Sequence, residues 1–376
     1  MSRPRHILLY KNMLKDALLD TFYTTTHALP EPLLSKIYYF HDIRITCQTN
    51  HAAILAILDT MLGIFPRPGK IQGEVTYFIL CYERAAQFPV KLPSQCVRTE
   101  TMRLLTNTRL KCYRSTDDTT GYQSFVALPS VNETALNVIY STDSIALTQL
   151  AMPEHYQAAF LRRYVLLLAL GQLMQQYGFE PCHAGAVTAP WNSEQGALIL
   201  GASGIGKTTL SIGCALLGYG LLGDDLVMLR NSTADGSIRA YALAHELSIR
   251  SSSLHLWPTL SFLLDLPADL RDKRYCTIEQ IRPGAGRIST SIRLLLFPSL
   301  TMERQSTITP LSKARTLQAL VDECLGKKNM SQQAQERLFL LLSALADQAA
   351  GYRLAIAHTA SDGPEIVRSL FAGNGL

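Results

Sequence analysis

The sequence predicts an α/β protein whose C-terminal part is built on a mixed, partly antiparallel sheet and whose first part is a separate α+β region; three observations carry that prediction. An apolar run, Ala197-Leu-Ile-Leu200, has the look of a buried strand and passes through a glycine-rich segment into helix-forming residues 209–217. The strand-like stretches 183–188 and 197–200 are joined through the polar turn 192–196. A link that short cannot hold a crossover helix, so the two strands must form an antiparallel hairpin. Finally, Gly218-Tyr-Gly220 ends the helix, and the next apolar run, 221–229, contains two adjacent carboxylates, Asp224 and Asp225.

With 376 residues the chain is long enough for two domains, expected at 1–150 and 151–376. In the first, Ile43-Arg-Ile-Thr-Cys47 alternates as a strand, 52–62 has helical periodicity, and 74–82 returns to strand character after Pro66-Arg-Pro-Gly69. Residues 104–127, broken by turns such as 115–121, suggest a small antiparallel sheet. A helix is expected over 154–176, leading into the second domain. Beyond Arg250 the pattern predicts a core strand at 294–297, helices within 317–345, a strand at 352–356 and a closing helix at 363–371.

The chemistry concentrates at the glycine-rich segment. Gly201, Ala202, Ser203, Gly204, Ile205, Gly206, Lys207 and Thr208, followed by Thr209, satisfy G-x-x-x-x-G-K-[ST]. In that pattern backbone N–H groups close around phosphate oxygens, the lysine reaches the β and γ phosphates, and the hydroxyl binds magnesium. The strand before it and the helix after it place a helix N-terminus against the phosphates. Asp224 follows Gly201 by only 23 residues. One short helix and strand therefore return both carboxylates to the loop, where neighbours on a strand would point to opposite faces.

The stretch from His183 through this loop to Gly218-Tyr-Gly-Leu-Leu-Gly-Asp-Asp-Leu-Val227 resembles the catalytic core of the HPr kinase/phosphorylase family, and more narrowly the HPr-kinase-like proteins of peptide-modifying systems, including kinases of lasso-peptide precursors. That resemblance covers about residues 180–300. It implies a mixed-sheet core of the HPr kinase and phosphoenolpyruvate-carboxykinase type. It implies ATP and Mg2+ as cofactors, with Lys207 and Thr208 on nucleotide and metal, Asp225 as the metal-side carboxylate, and Asp224 as base toward an acceptor serine. His183 takes the position of the histidine before the loop. The family's Glu-x-Arg-Gly segment is missing from 242–250, which removes the expectation of phosphorylase activity and of HPr as substrate. The loop also ends Lys207-Thr208-Thr209 where the family has Lys-Ser-Glu, which keeps the metal-binding hydroxyl.

Phosphoryl transfer needs further cations at the equatorial oxygens. Arg250, Lys273, Arg274, Arg282 and Arg287 follow the aspartates, and Arg250 and Arg274 are the first choices. The expected activity is an ATP-dependent kinase acting on a serine-type hydroxyl in a peptide or protein, with a ribosomally made precursor peptide as the expected acceptor. The alternatives are a regulatory or assembly ATPase and a small-metabolite kinase. The region 1–150 is expected to recognise the acceptor or to serve as a scaffold. A net charge of +5 with no basic run or aromatic-interleaved basic stripe argues against nucleic acid as a partner. Eight scattered cysteines without metal-site spacing suggest reduced thiols, and no apolar segment is long enough for a signal peptide or membrane span, so a cytoplasmic location is expected. A homo-oligomer is left open.

Overall fold

The computed structural model describes residues 24, 32–88, 96–103, 109–115, 122–128, 134–140, 144–151, 161–232, 235–268, 272–325, 332–357 and 362–373. The chain divides into two compact units, Met1–Tyr177 and Gly178–Leu376.

In the first unit, β1 (Leu34–Phe40), β2 (Ile43–Thr49), α1 (Ala52–Leu62), β3 (Gly73–Tyr82), β4 (Cys96–Arg103), β5 (Arg109–Ser115), β6 (Tyr122–Leu128), β7 (Thr134–Tyr140), β8 (Ile145–Ala151) and α2 (Leu167–Gln175) follow one another. The strands form one sheet in the order β1-β2-β3-β8-β7-β6-β5-β4. It is parallel at β2/β3 and β3/β8 and antiparallel elsewhere. The small antiparallel sheet expected near 104–127 is thus one flank of a larger mixed sheet. Residues of β2 alternate strictly, burying Ile43, Ile45 and Cys47, as a half-buried strand must. Helix α1 buries Ile54, Ile57, Leu58, Met61 and Leu62, spaced three and four apart, against β1 and β2. Helix α2 belongs here and not with the second unit, because it packs on β7 and β8.

The second unit runs β9 (Glu180–Cys182), β10 (Ala184–Thr188), β11 (Gln195–Leu200), α3 (Lys207–Leu216), β12 (Gly220–Gly223), β13 (Val227–Asn231), β14 (Ile238–Ala242) and β15 (Glu246–Arg250). Two short 3-10 segments, Ser251–Leu256 and Pro258–Asp265, lead to β16 (Lys273–Thr277) and α4 (Ile278–Ile281). Then come β17 (Ser289–Thr301), β18 (Thr307–Leu311), α5 (Lys313–Cys324), α6 (Gln332–Gln348), β19 (Ala350–Ala357) and α7 (Gly363–Gly373). The main sheet is ordered β12-β10-β11-β17-β14-β13-β9. Strand β17 is long enough for two neighbours on one edge: its start pairs with β14 and its second half with β19, which β18 extends. The hairpin β10–β11 is antiparallel while β11–β17 and β17–β19 are parallel, so the mixed sheet expected from the short connection through 192–196 is present.

Helix α3 presses Leu210, Ile212, Cys214 and Ala215 into a core shared with Val187, Ile199, Leu221, Leu294 and Leu296. Each fully buried aliphatic side chain of this kind contributes roughly 1.5–3 kcal/mol. The helix stops where the sequence indicates. Gly218 takes φ +100°, its N–H bonds to the Ala215 carbonyl and that of Tyr219 to the Cys214 carbonyl. These two bonds form a Schellman cap, which turns the chain directly into β12.

Gly351 in β19 lies against the buried Thr316 of α5, and a Cβ there would overlap the threonine Oγ1 and Cγ2. Gly351→Ala is expected to destabilise the protein by about 1–3 kcal/mol, the usual cost of overpacking. Denaturant titration checks this; an unchanged midpoint would mean that α5 yields freely.

Candidate active site

The loop between β11 and α3 is shaped by its glycines. Gly201, Gly204 and Gly206 have φ of +147°, +88° and +99°, values that side chains resist. A Cβ on Gly204 would meet nothing within 4 Å, so the loop stands open rather than being packed shut. The first hydrogen bond of α3 runs from the Leu210 N–H to the Gly206 carbonyl. The amides of Lys207, Thr208 and Thr209 are then the open donors at the helix start, where the macrodipole also favours an anion.

Lys207 is buried, and its Nζ donates to the carbonyls of Gly201 at 2.7 Å and Ala202 at 3.1 Å, with His183 Nε2 at 3.3 Å. Burial holds its pKa below the usual lysine range, against the pull of Asp225, Glu323 and Asp224. His183 lies between β9 and β10. Its Nδ1 sits 2.8 Å from the Asp225 carbonyl oxygen and 3.2 Å from Oδ1. Lysine has only donors, so Nε2 of His183 acts as acceptor and the ring proton belongs on Nδ1, donated to Asp225. Burial lowers the His183 pKa, which keeps this neutral form.

The two aspartates occupy a bend after β12 and before β13 rather than consecutive strand positions. Aspartate side chains compete with the ladder for backbone partners and are disfavoured within strands. The two carboxylates have different partners. Asp224 is 2% exposed, and its Oδ2 accepts from Thr208 Oγ1 at 2.9 Å and from the Ser248 N–H at 3.4 Å. Asp225 is the one that opens to the cavity. Thr208 was expected to share a metal with Asp225; its carboxylate partner is Asp224.

That cavity, about 390 Å³, brings together Ser203, Gly204, Gly206, Lys207, Thr208 and Thr209 with Asp225, Arg250 and Lys273. It is of ligand-binding size. Gly201 and Ala202 face Lys207 instead, and the Ile205 side chain packs beside Gly201. Arg250 and Lys273 are directly opposed across β15 and β16. Like charges in that position repel, so an anion between them would be favoured. Lys273 also donates to Ser248 Oγ at 3.2 Å.

The other basic candidates do structural work. Arg274 binds Ser251 Oγ, Asp272 Oδ1 at 3.2 Å and the Leu264 carbonyl at 3.4 Å, tying the 3-10 segments to β16, and it does not line the cavity. Arg282 donates to the Tyr219 carbonyl at 2.7 Å, and Arg287 to those of Gly284 and Gly286, both at 2.8 Å. Lining residues that sequence reasoning missed include Ser248, Ser252, Ser253, His255 and Trp257 on one wall and Leu300 and Ile356 on the other. The run Arg250-Ser-Ser-Ser-Leu-His-Leu-Trp257, dense in polar groups, was the available signal for the first wall.

The donor set suits magnesium, a hard cation that takes one or two protein oxygens together with phosphates and water. Among the described residues no three His, Cys, Asp or Glu side chains gather into a metal cage. Nor, among them, is any helix long and apolar enough to cross a membrane.

No known family profile matches the chain, and no curated protein sequence does. Among solved structures, the Hpr(Ser) kinase/phosphatase from Coxiella burnetii aligns with a TM-score of 0.29 and 11% identity, over 52% of this chain and 90% of that one. A likeness of that size carries no argument about fold or activity.

Proposed function

We propose that the chain is an ATP- and magnesium-dependent kinase that transfers a phosphoryl group to a serine-type hydroxyl, with a ribosomally made precursor peptide as the acceptor. The observation that carries this is the convergence, on one cavity, of the open start of α3, the Lys207 ammonium, the Asp225 carboxylate and the Arg250–Lys273 pair. The amides of the loop and of 207–209 would hold the phosphates. Thr208 and Asp224 would hold the magnesium, which neutralises phosphate charge when bound.

In this assignment Asp225 orients the acceptor hydroxyl and accepts its proton, while His183 anchors that residue by donating to its backbone carbonyl, with the carboxylate Oδ1 3.2 Å away. Arg250 and Lys273 meet the charge that spreads over the transferred group. Acceptor recognition is assigned to the N-terminal unit. A cytoplasmic location accords with Cys47, Cys81, Cys182, Cys214, Cys276 and Cys324, none of which is in a disulfide.

The test is transfer of labelled γ-phosphate from ATP with magnesium, offered in parallel to serine peptides and to small hydroxylated metabolites. Label in a serine peptide is the expected result. Label in metabolites alone would move the acceptor class, and ATP hydrolysis with no labelled hydroxyl would replace the kinase by a regulatory ATPase.

A further inference from the structure

The sulfurs of Cys182 and Cys324 lie 3.7 Å apart in the core of the second unit, although 142 residues separate them in the chain. Neither is in a disulfide, and both are nearly fully buried, at 2% and 4% exposed. Cys182 ends β9 and Cys324 ends α5. Their position relative to the phosphate loop is what gives them meaning. Cys182 is followed immediately by His183, whose ring spans Lys207 and Asp225. Cys324 is preceded by Glu323, whose carboxylate acts on the charge of Lys207.

We propose that Cys182 and Cys324 are a modification site: a dithiol that a peroxide oxidises to a disulfide, with the ATP site as the part that responds. The proposal concerns regulation of the kinase site and rests on that assignment. One thiolate attacks hydrogen peroxide, the O–O bond breaks, and a sulfenic acid forms with loss of one water once the released hydroxide is protonated. The second thiol attacks the sulfenic sulfur, the S–S bond forms, and a second water leaves. Two thiols and one peroxide thus become one disulfide and two waters. A small neutral oxidant is required because the pair is buried; a bulky disulfide such as oxidised glutathione has poor access to such thiols.

Bonding shortens the sulfur separation from 3.7 Å to about 2.05 Å. The difference must be taken up by the ends of β9 and α5. His183 adjoins one of those ends; its ring bonds the Asp225 carbonyl at 2.8 Å, lies 3.2 Å from the Asp225 carboxylate, and makes a long 3.3 Å contact to Lys207, so a shift there is felt at both. Oxidation therefore acts on the two side chains that meet ATP and the acceptor.

The experiment treats the full chain with hydrogen peroxide, blocks remaining thiols under denaturing conditions, and maps linked peptides by mass spectrometry; ATP binding is measured in parallel by calorimetry, before and after reduction with dithiothreitol. The expected result is a peptide pair joined through Cys182 and Cys324. ATP affinity should fall by about tenfold, the equivalent of one weakened charged contact, and recover on reduction. Cys182→Ser and Cys324→Ala, reduced, should bind ATP like the parent and show no response to peroxide. Absence of this link after oxidation, or a link that leaves ATP affinity unchanged, would overturn the proposal. Failure of the reduced parent to bind ATP would count against the kinase assignment, while the peptide map would still decide whether the pair oxidises.

Discussion

Lys207→Ala is expected to weaken ATP binding by about 10- to 150-fold, the equivalent of the ~1.5–3 kcal/mol of a charge-assisted hydrogen bond. Lys207 is the only lysine or arginine whose ammonium or guanidinium is held directly by the loop carbonyls of Gly201 and Ala202 among the described contacts, so no neighbour takes over its place at the phosphates. The fold should survive. Lys207 sits at the first position of α3, and the apolar side chains that anchor the helix, Leu210, Ile212 and Cys214, are untouched. Calorimetry of ATP binding, with a melting curve to confirm folding, decides the matter: equal affinity in mutant and parent would refute the nucleotide assignment.

The second large effect separates the two aspartates. Asp225→Asn should leave ATP and magnesium binding close to that of the parent and lower transfer to a serine peptide by about 10²–10⁴-fold, the range associated with general-base assistance. The substitution leaves the His183 bond to the backbone carbonyl of residue 225 in place and removes the capacity to take a proton. Asp224→Asn should instead raise the magnesium concentration needed for half-maximal rate, because Asp224 is the carboxylate that shares Thr208 Oγ1. A magnesium titration of labelled transfer with both variants distinguishes the roles. If Asp224→Asn loses transfer at saturating magnesium while Asp225→Asn keeps it, the roles are those first expected from the sequence, with Asp224 as base.

The loop, helix and hairpin of the second unit were legible because their signals are local. Glycines at 201, 204 and 206, the cap at Gly218 and the short 189–194 link each specify geometry within a few residues. Which of Asp224 and Asp225 bonds Thr208 and which lines the cavity was not, since it depends on where β12 stops: the strand ends at Gly223 and both aspartates lie in a bend. The choice between Lys273 and Arg274 was equally hidden. Neighbours on β16 face opposite sides, and a one-residue difference in register decides which cation meets the cavity. That register is fixed by pairing with β15, some 25 residues earlier, which puts Lys273 opposite Arg250. The expected boundary at 150 failed to anticipate α2 in the first unit because an amphipathic helix shows that it has a buried face without showing which sheet will cover it.

In the structure the Lys207 ammonium is already fully engaged, with its three donors directed to Gly201, Ala202 and His183. Under the proposed assignment a nucleotide would enter by exchange, releasing internal partners as it acquires the lysine, and its affinity would be the difference between two sets of bonds rather than a simple gain. Only a ligand with enough terminal negative charge to outbid two carbonyls and an imidazole can make that exchange favourable. On that assignment, discrimination by phosphate count, between a triphosphate and its shorter relatives, would arise in the resting loop itself, before any contact with the base or the sugar.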